Sequence, residues 1–188
     1  DNEGFLELPS LPKRIVMVGG GYIAAEFSHI AARAGAEVTI LQRGPRMLTQ
    51  FEPELVSWLM DAINRIGVRV ITATTVDAIR ERDGEYAVHA SGKEGPIEVA
   101  ADLVVHAAGR APAIERLDLE KGGVAVENGK LKLNEFLQSV SNPAVYAAGD
   151  AASNGPPLTP VSSHDAKVVA TNLVEGNHRK PDYKGVPS

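Results

Sequence analysis

The sequence predicts an α/β fold: a parallel sheet wound with helices, an antiparallel β-meander as crossover, and then a smaller α+β segment. Three observations carry this. The unbroken apolar run Ile15-Val16-Met17-Val18 passes through Gly19-Gly20-Gly21 straight into a helical pattern. Two further apolar runs, Ala36 to Leu41 and Val68 to Ile71, each follow a helix-spaced stretch. From Val76 the period shortens to alternation, and after Ala108 turns, prolines and short strand patterns take over.

Taken in order, Asp1 to Lys13 holds two prolines and no helical stripe, so it reads as an extended lead-in. Ile15 to Val18 suits a strand covered on both faces. From Tyr22 to Ala34, apolar residues at Ile23, Phe27, Ile30, Ala31 and Ala34 predict a helix that ends at Gly35. Pro53 opens a second helix with a stripe of Leu55, Leu59, Ala62, Ile63 and Ile66, and Trp58 reads as packing beside it. Val76 to Arg82, Tyr86 to Ala90 and Ile97 to Ala100 form the meander, joined by Asp83-Gly84 and by Gly92 to Gly95. Asp102 to Ala107 returns to a buried strand, with His106 as a core or edge residue. Gly122 to Val126, Lys130 to Leu133 and Ala144 to Ala147 read as short strands, and Val161 to Val174 as a final helix. The expected division is 1–108 and 109–188.

Gly19, Gly21 and Ala24 fill the small positions of G-x-G-x-x-G/A in the strand-turn-helix context that gives this motif meaning. The first allows a tight turn, the second a close approach to a pyrophosphate, and the third close packing of helix on strand. The first domain therefore reads as a Rossmann-type dinucleotide-binding unit, with helix N–H groups facing an anion. A net charge of -5 and the lack of a basic run argue against nucleic acid as a partner. No stretch approaches a membrane span and no signal peptide is visible, so the expected location is cytoplasmic. The chain has no cysteine, and its five histidines lack close metal-ligand spacing, so neither thiol nor metal chemistry is expected within it.

Four stretches together resemble a known family: Gly19 to Glu26, Ala107 to Pro112, Tyr146 to Asp150, and Leu158 to Val161. In this order they are similar to class I pyridine nucleotide–disulfide oxidoreductases, the flavoproteins that include glutathione reductase, dihydrolipoamide dehydrogenase and mercuric reductase. The resemblance implies a nicotinamide-nucleotide domain followed by a central domain that contacts FAD. It also implies that the segments carrying the redox cysteine pair, the rest of the flavin site and a catalytic His-Glu pair lie outside this stretch. The isolated chain is then expected to be catalytically incomplete, and possible as a monomer where the parent is a homodimer.

By resemblance, Gly19, Gly20 and Gly21 lie on the pyrophosphate beside Ile23, and Tyr22 is an aromatic gate over the flavin. Glu26 faces the nicotinamide, and Gly109 belongs to the Gly-Arg-x-Pro stretch. Asp150 accepts a hydrogen bond from a flavin ribityl hydroxyl, with Gly149 allowing close approach. Thr159 faces the flavin pyrimidine edge, whereas His164 reads as a cap-region or surface residue.

An NAD-selective site places Asp or Glu near position 42 to bind the ribose and repel a 2′-phosphate. Gln42 lacks that repulsion, and Arg43 and Arg46 add positive charge, so NADP is the expected cofactor, with NAD as the alternative. Thr49 and Ala113 depart from the family pattern at positions where relatives carry Arg and Asn. Two other functions fit the residues: a free-standing NAD(P)H sensor without catalysis, and part of a peroxide- or oxygen-reducing flavoprotein.

Overall fold

Ile15, Val16 and Met17 are all buried, which requires cover on both faces of the strand that holds them. In the computed structural model, which describes residues 1 to 185, that strand lies inside the first of two compact units, Asp1–Gly109. In chain order this unit contains α1 (Asn2–Leu6), β1 (Arg14–Val18), α2 (Tyr22–Arg33), β2 (Glu37–Leu41), α3 (Pro53–Arg65) and β3 (Arg69–Ile71). It continues with β4 (Thr75–Arg82), β5 (Glu85–Gly92), β6 (Gly95–Ala101) and β7 (Leu103–His106). The parallel sheet has the order β3-β2-β1-β7, and β4-β5-β6 form a separate antiparallel sheet, the mixed α/β arrangement the sequence predicts.

Alternation along β1 assigns its two faces. Ile15 and Met17 join Val38, Ile40 and Val105 in a core shared with Ala24 and Ala31 of α2 and Val56 and Ile63 of α3. Val16 faces the other way, into a core with Leu41 and the meander residues Val88, Ala90 and Ala101. The meander thus covers the sheet face that the helices leave bare.

Arg14 ties the start of β1 to the entry of β7. Its N–H donates to Asp102 Oδ2 at 2.9 Å and its Nε to Oδ1 at 3.1 Å, while Nη2 pairs with both Asp102 and Glu85. In return Asp102 N donates to Arg14 O at 2.9 Å. The guanidinium hydrogen bond, aided by the Arg14 amide, holds the Asp102 carboxyl below its ordinary value.

Three expectations for this unit are corrected. Residues 2–6 are helical, because the Asp1 side chain caps the Gly4 amide at 3.0 Å and Phe5 stacks on Phe27 with ring centroids 4.7 Å apart. On α2 the buried seam is Ala24, Ala25, Ser28 and Ala31, and Ile30 is exposed; small residues let this helix lie close to the sheet. On α3 the face turned to the sheet carries Val56, Met60, Ile63 and Ile66, whereas Leu55 and Trp58 are 57% and 60% exposed. The helix has two apolar stripes and the sheet meets only one of them, so Trp58 does not serve core packing.

The second unit begins at Arg110. Strands β8 (Val126–Glu127) and β9 (Lys130–Leu131) form a two-stranded hairpin across Asn128-Gly129, shorter than expected. Ala144 to Ala147 makes no strand, only a bridge from Tyr146 to Gln138 and single backbone bonds such as Ala147 N to Leu137 O at 3.0 Å. A 3₁₀ turn at Gly149–Ala151 packs on α4 (Thr159–Glu175), which starts two residues earlier than expected because Pro160 fits the first turn of a helix. No helix among the described residues is long and apolar enough to cross a membrane.

Met17→Ala should cost ~2–5 kcal/mol by the lost transfer energy and the cavity left behind, read by urea unfolding. Trp58→Gln should stay within ~0.5 kcal/mol of the parent by the same urea unfolding assay. Asp102 has a lowered folded pKa, so its contribution to stability is present above the unfolded value and is lost as pH falls through the folded one. Asp102→Asn should therefore lower Tm at neutral pH and flatten the fall in Tm below about pH 4.

Candidate functional site

In the first unit the site residues gather where the chain leaves β1. Order β3-β2-β1-β7 makes β1 the point at which successive connections part to opposite sides, the place where open α/β sheets bind ligands. Gly19 continues the ladder by donating to Leu41 O at 2.9 Å, then turns with φ +103. A Cβ there would stand 2.5 Å from the Ala108 Cα, so the turn passes directly over the loop after β7 and only glycine fits.

Gly20 is gripped from two sides. Its N–H donates to Gln42 Oε1 at 2.9 Å, and its carbonyl accepts from Leu48 N at 2.8 Å. Gln42 then donates from Nε2 to Arg46 O at 3.1 Å. Gly21 caps α2 with no side-chain hydrogen bond, and the first helical donor is Ala25 N to Gly21 O at 3.1 Å. The amides of Tyr22, Ile23 and Ala24 are thereby left without a protein acceptor among the described residues, which is the arrangement a pyrophosphate would complete.

Tyr22 and Glu26 lie one turn apart on the exposed side of α2, while the Ile23 side chain packs back on the core. Arg43 is exposed, and its side chain has no hydrogen-bond acceptor among the described residues. Arg46 behaves differently from expectation. Its Nη1 donates to Leu48 O at 3.2 Å and Phe51 O at 3.0 Å, and its Nη2 to Thr49 O at 2.8 Å. It braces the loop before α3, with Nε and one Nη2 hydrogen to spare. Gly109 is exposed at the end of this unit.

The second unit holds its own group of predicted residues. Gly149, at φ +68, packs so tightly on α4 that a Cβ would fall 2.5 Å from Ser162 Oγ. Asp150 follows it in the 3₁₀ turn with its side chain exposed. Thr159 is exposed in the first turn of α4, whose N-cap Leu158 offers no side-chain acceptor. The unit thus presents an exposed carboxylate and an uncapped helix start, a donor and acceptor set that suits a polyhydroxylated, electron-rich ligand. His164 is half-buried, and its Nε2 accepts from Asp182 N at 3.1 Å. Among the described residues no group of three or more His, Cys, Asp or Glu could hold a metal ion.

Two features escaped the sequence. The bracing role of Arg46 has no local signal, since its acceptors are backbone carbonyls. Asp165 is wholly buried in α4 and accepts the Gly149 amide at 3.1 Å from 16 residues away. A charged residue at a core position of that helix was the only available hint.

Comparison with known proteins places these sites in context. The family profile described as pyridine nucleotide-disulphide oxidoreductase matches residues 1–166. A mercuric reductase of Staphylococcus aureus is 35% identical over 185 residues, covering 97% of this chain and 33% of that protein. A dihydrolipoyl dehydrogenase of the same organism is 35% identical over 192 aligned residues, covering 100% of this chain and 40% of that protein. Among solved structures, the HOCl-induced flavoprotein disulfide reductase RclA from Escherichia coli, in its Cu(II) complex, superposes with a TM-score of 0.81 at 29% identity, over 93% of this chain and 39% of that one. The chain spans between a third and two fifths of the length of these relatives. With a match running from the lead-in through the first turns of α4, the chain belongs to the pyridine nucleotide-disulphide oxidoreductase family.

Proposed function

We propose that this chain is the nicotinamide-nucleotide-binding and central portion of a flavin-dependent disulfide-type oxidoreductase that takes hydride from NADPH. The observation that carries the reading is the uncapped start of α2 directly after the Gly19 to Gly21 turn, at the β1 switch point. Three free amides and the positive end of a 12-residue helix await an anion there. FAD, when bound by the whole protein, supplies the electron chemistry; the residues of this chain supply binding, orientation and electrostatics.

Each residue then has a task. The Gly20 amide is already held by Gln42, so the pyrophosphate falls to the amides that follow it. Tyr22, exposed at the first position of α2, shields the flavin face until the nicotinamide displaces it. Glu26, one turn on, borders the nicotinamide. In the second unit Asp150 receives a ribityl hydroxyl, and the start of α4 beside Thr159 favours negative charge on the reduced ring. Nucleotide binding and the Tyr22 gate then fall to the unit Asp1–Gly109, and the ribityl and pyrimidine contacts to the part from Arg110. The disulfide or related acceptor, and dimerisation, belong to segments outside these residues.

Selectivity for NADP rests on Gln42, which carries no charge to repel a 2′-phosphate, and on Arg43, whose guanidinium is exposed. Arg46 contributes mainly by shaping the loop, since three carbonyls already occupy it. A charge pair at ~4 Å is worth ~1–4 kcal/mol depending on the local dielectric, enough for tenfold discrimination.

Calorimetric titration of the chain should show NADPH binding about tenfold more tightly than NADH. Equal affinities, or tighter NADH, would defeat the NADP reading; no binding of either would defeat the nucleotide site itself. Arg43→Ala should remove most of the preference by weakening NADPH about tenfold with NADH unchanged, and Gln42→Glu should turn it toward NADH. Arg46→Ala should instead weaken both nucleotides alike and lower Tm, because the loop that steadies Gln42 loses its brace.

A further inference from the structure

Asp165 is the one charged residue of the second unit that is 0% exposed among the described residues, and α4 could fill that position with an apolar side chain at less cost in desolvation. Its contacts indicate why a carboxylate stands there. Oδ2 accepts the Gly149 N–H at 3.1 Å, while Oδ1 has no hydrogen-bond partner among the described residues. The buried hydroxyl of Tyr183 stands beside the Asp165 carboxylate without a hydrogen bond of normal geometry among the described residues. Burial first, then the Asp165 charge and the pull of its carboxylate on the phenol hydrogen, push that hydroxyl up to about 12, so the phenol keeps its proton at neutral pH.

The Tyr183 ring is seated where a Cβ on Gly155 would stand 2.7 Å away, and its edge meets His164 with centroids 6.2 Å apart. Tyr183 is thus packed against Gly155 and His164 with its hydroxyl beside the Asp165 carboxylate. On the other side Gly149 is confined twice: its α-carbon rests against Ser162, and its amide is bonded to Asp165. The residue that follows is Asp150, whose direction is set by the peptide thus confined.

We propose that Asp165 is a positioning residue for the flavin-facing turn: by accepting the Gly149 amide from within α4 it fixes the peptide that aims the Asp150 carboxylate at a ribityl hydroxyl. The proposal rests on the reading of Asp150 as a flavin contact. Asp165 touches no cofactor and acts through Gly149 alone. The bond joins a rigid 17-residue helix to a turn that otherwise has few backbone partners. Losing it releases the turn without dissolving the helix.

The test uses the full-length flavoprotein, with FAD affinity measured by rebinding to the apoprotein and hydrogen–deuterium exchange followed in the peptide spanning Gly149 and Asp150. Asp165→Leu should weaken FAD by roughly tenfold or more, speed exchange in that peptide and leave NADPH affinity unchanged. Asp165→Asn, whose amide oxygen can accept the same N–H, should stay within about threefold of the parent. A folded Leu variant with parental FAD affinity overturns the proposal. So does an Asn variant that loses FAD as badly as Leu while keeping the parental Tm. Should the Leu variant fail to fold, the Asn variant and the parental exchange decide alone: a Gly149 amide that exchanges like an open loop overturns the proposal, and a protected one with Asn retaining FAD supports it. Asp150→Ala separates the layers. If it leaves FAD affinity intact, the flavin reading falls and the positioning role with it; if it weakens FAD while Asp165→Leu does not, only the positioning role falls.

Discussion

With Ile15 and Met17 turned to the helices and Val16 turned to the meander, β1 has no face left for water, and most of the first unit follows from that double cover. A strand buried on both sides must sit inside a sheet with layers above and below it. The sheet order places β2 on one flank and β7 on the other, so the chain has to leave β3, cross over, and return beyond β1. The antiparallel meander makes that journey and supplies the second layer at the same time. Its cost is a long-range closure, which the Arg14 and Asp102 bonds hold at the point where the returning chain meets β1.

The same geometry brings the glycine turn out at the sheet's carboxyl edge, with backbone passing over backbone at Ala108. Around it the polar groups divide into two classes. Gln42, Arg46 and the Gly20 amide satisfy one another and the loop, forming a frame. Tyr22, Glu26, Arg43 and the first amides of α2 have no hydrogen-bond partner among the described residues. Because the frame is satisfied internally, a ligand meeting those groups would break no existing contact.

The second unit repeats that logic on a smaller scale. Its hairpin is short and much of its chain is irregular, so single side chains carry the order that strands would otherwise provide. Asn172, buried in α4, donates to Phe136 O at 3.2 Å and Arg179 O at 2.8 Å and accepts from the amides of His178 and Arg179. Asp165 does the equivalent for Gly149. One helix thus ties down the chain at Phe136, at His178–Arg179 and at Gly149 through two buried polar residues.

Much was legible without coordinates, because the signals were local. The apolar run into Gly19-Gly20-Gly21, the change of period at Val76 and the returning strand at Leu103 each depend on near neighbours in the chain, and the sheets formed accordingly. The helix at residues 2–6 was legible in principle, since Asp1 is an N-cap residue, but the later prolines masked it. Periodicity could not choose between the two apolar stripes of α3, because both obey helical spacing and only contact with the sheet distinguishes them. Nor could it assign Arg46 to three carbonyls or Asp165 to a glycine amide 16 residues away. The sequence alone determined the parallel strands, the two helices between them, the meander and where a dinucleotide-type turn stands, since backbone propensity and burial period act over a few residues. Folding in three dimensions decided which polar groups are spent on the frame and which stay free for a ligand, since a hydrogen bond is settled by ångströms of distance that chain separation does not encode.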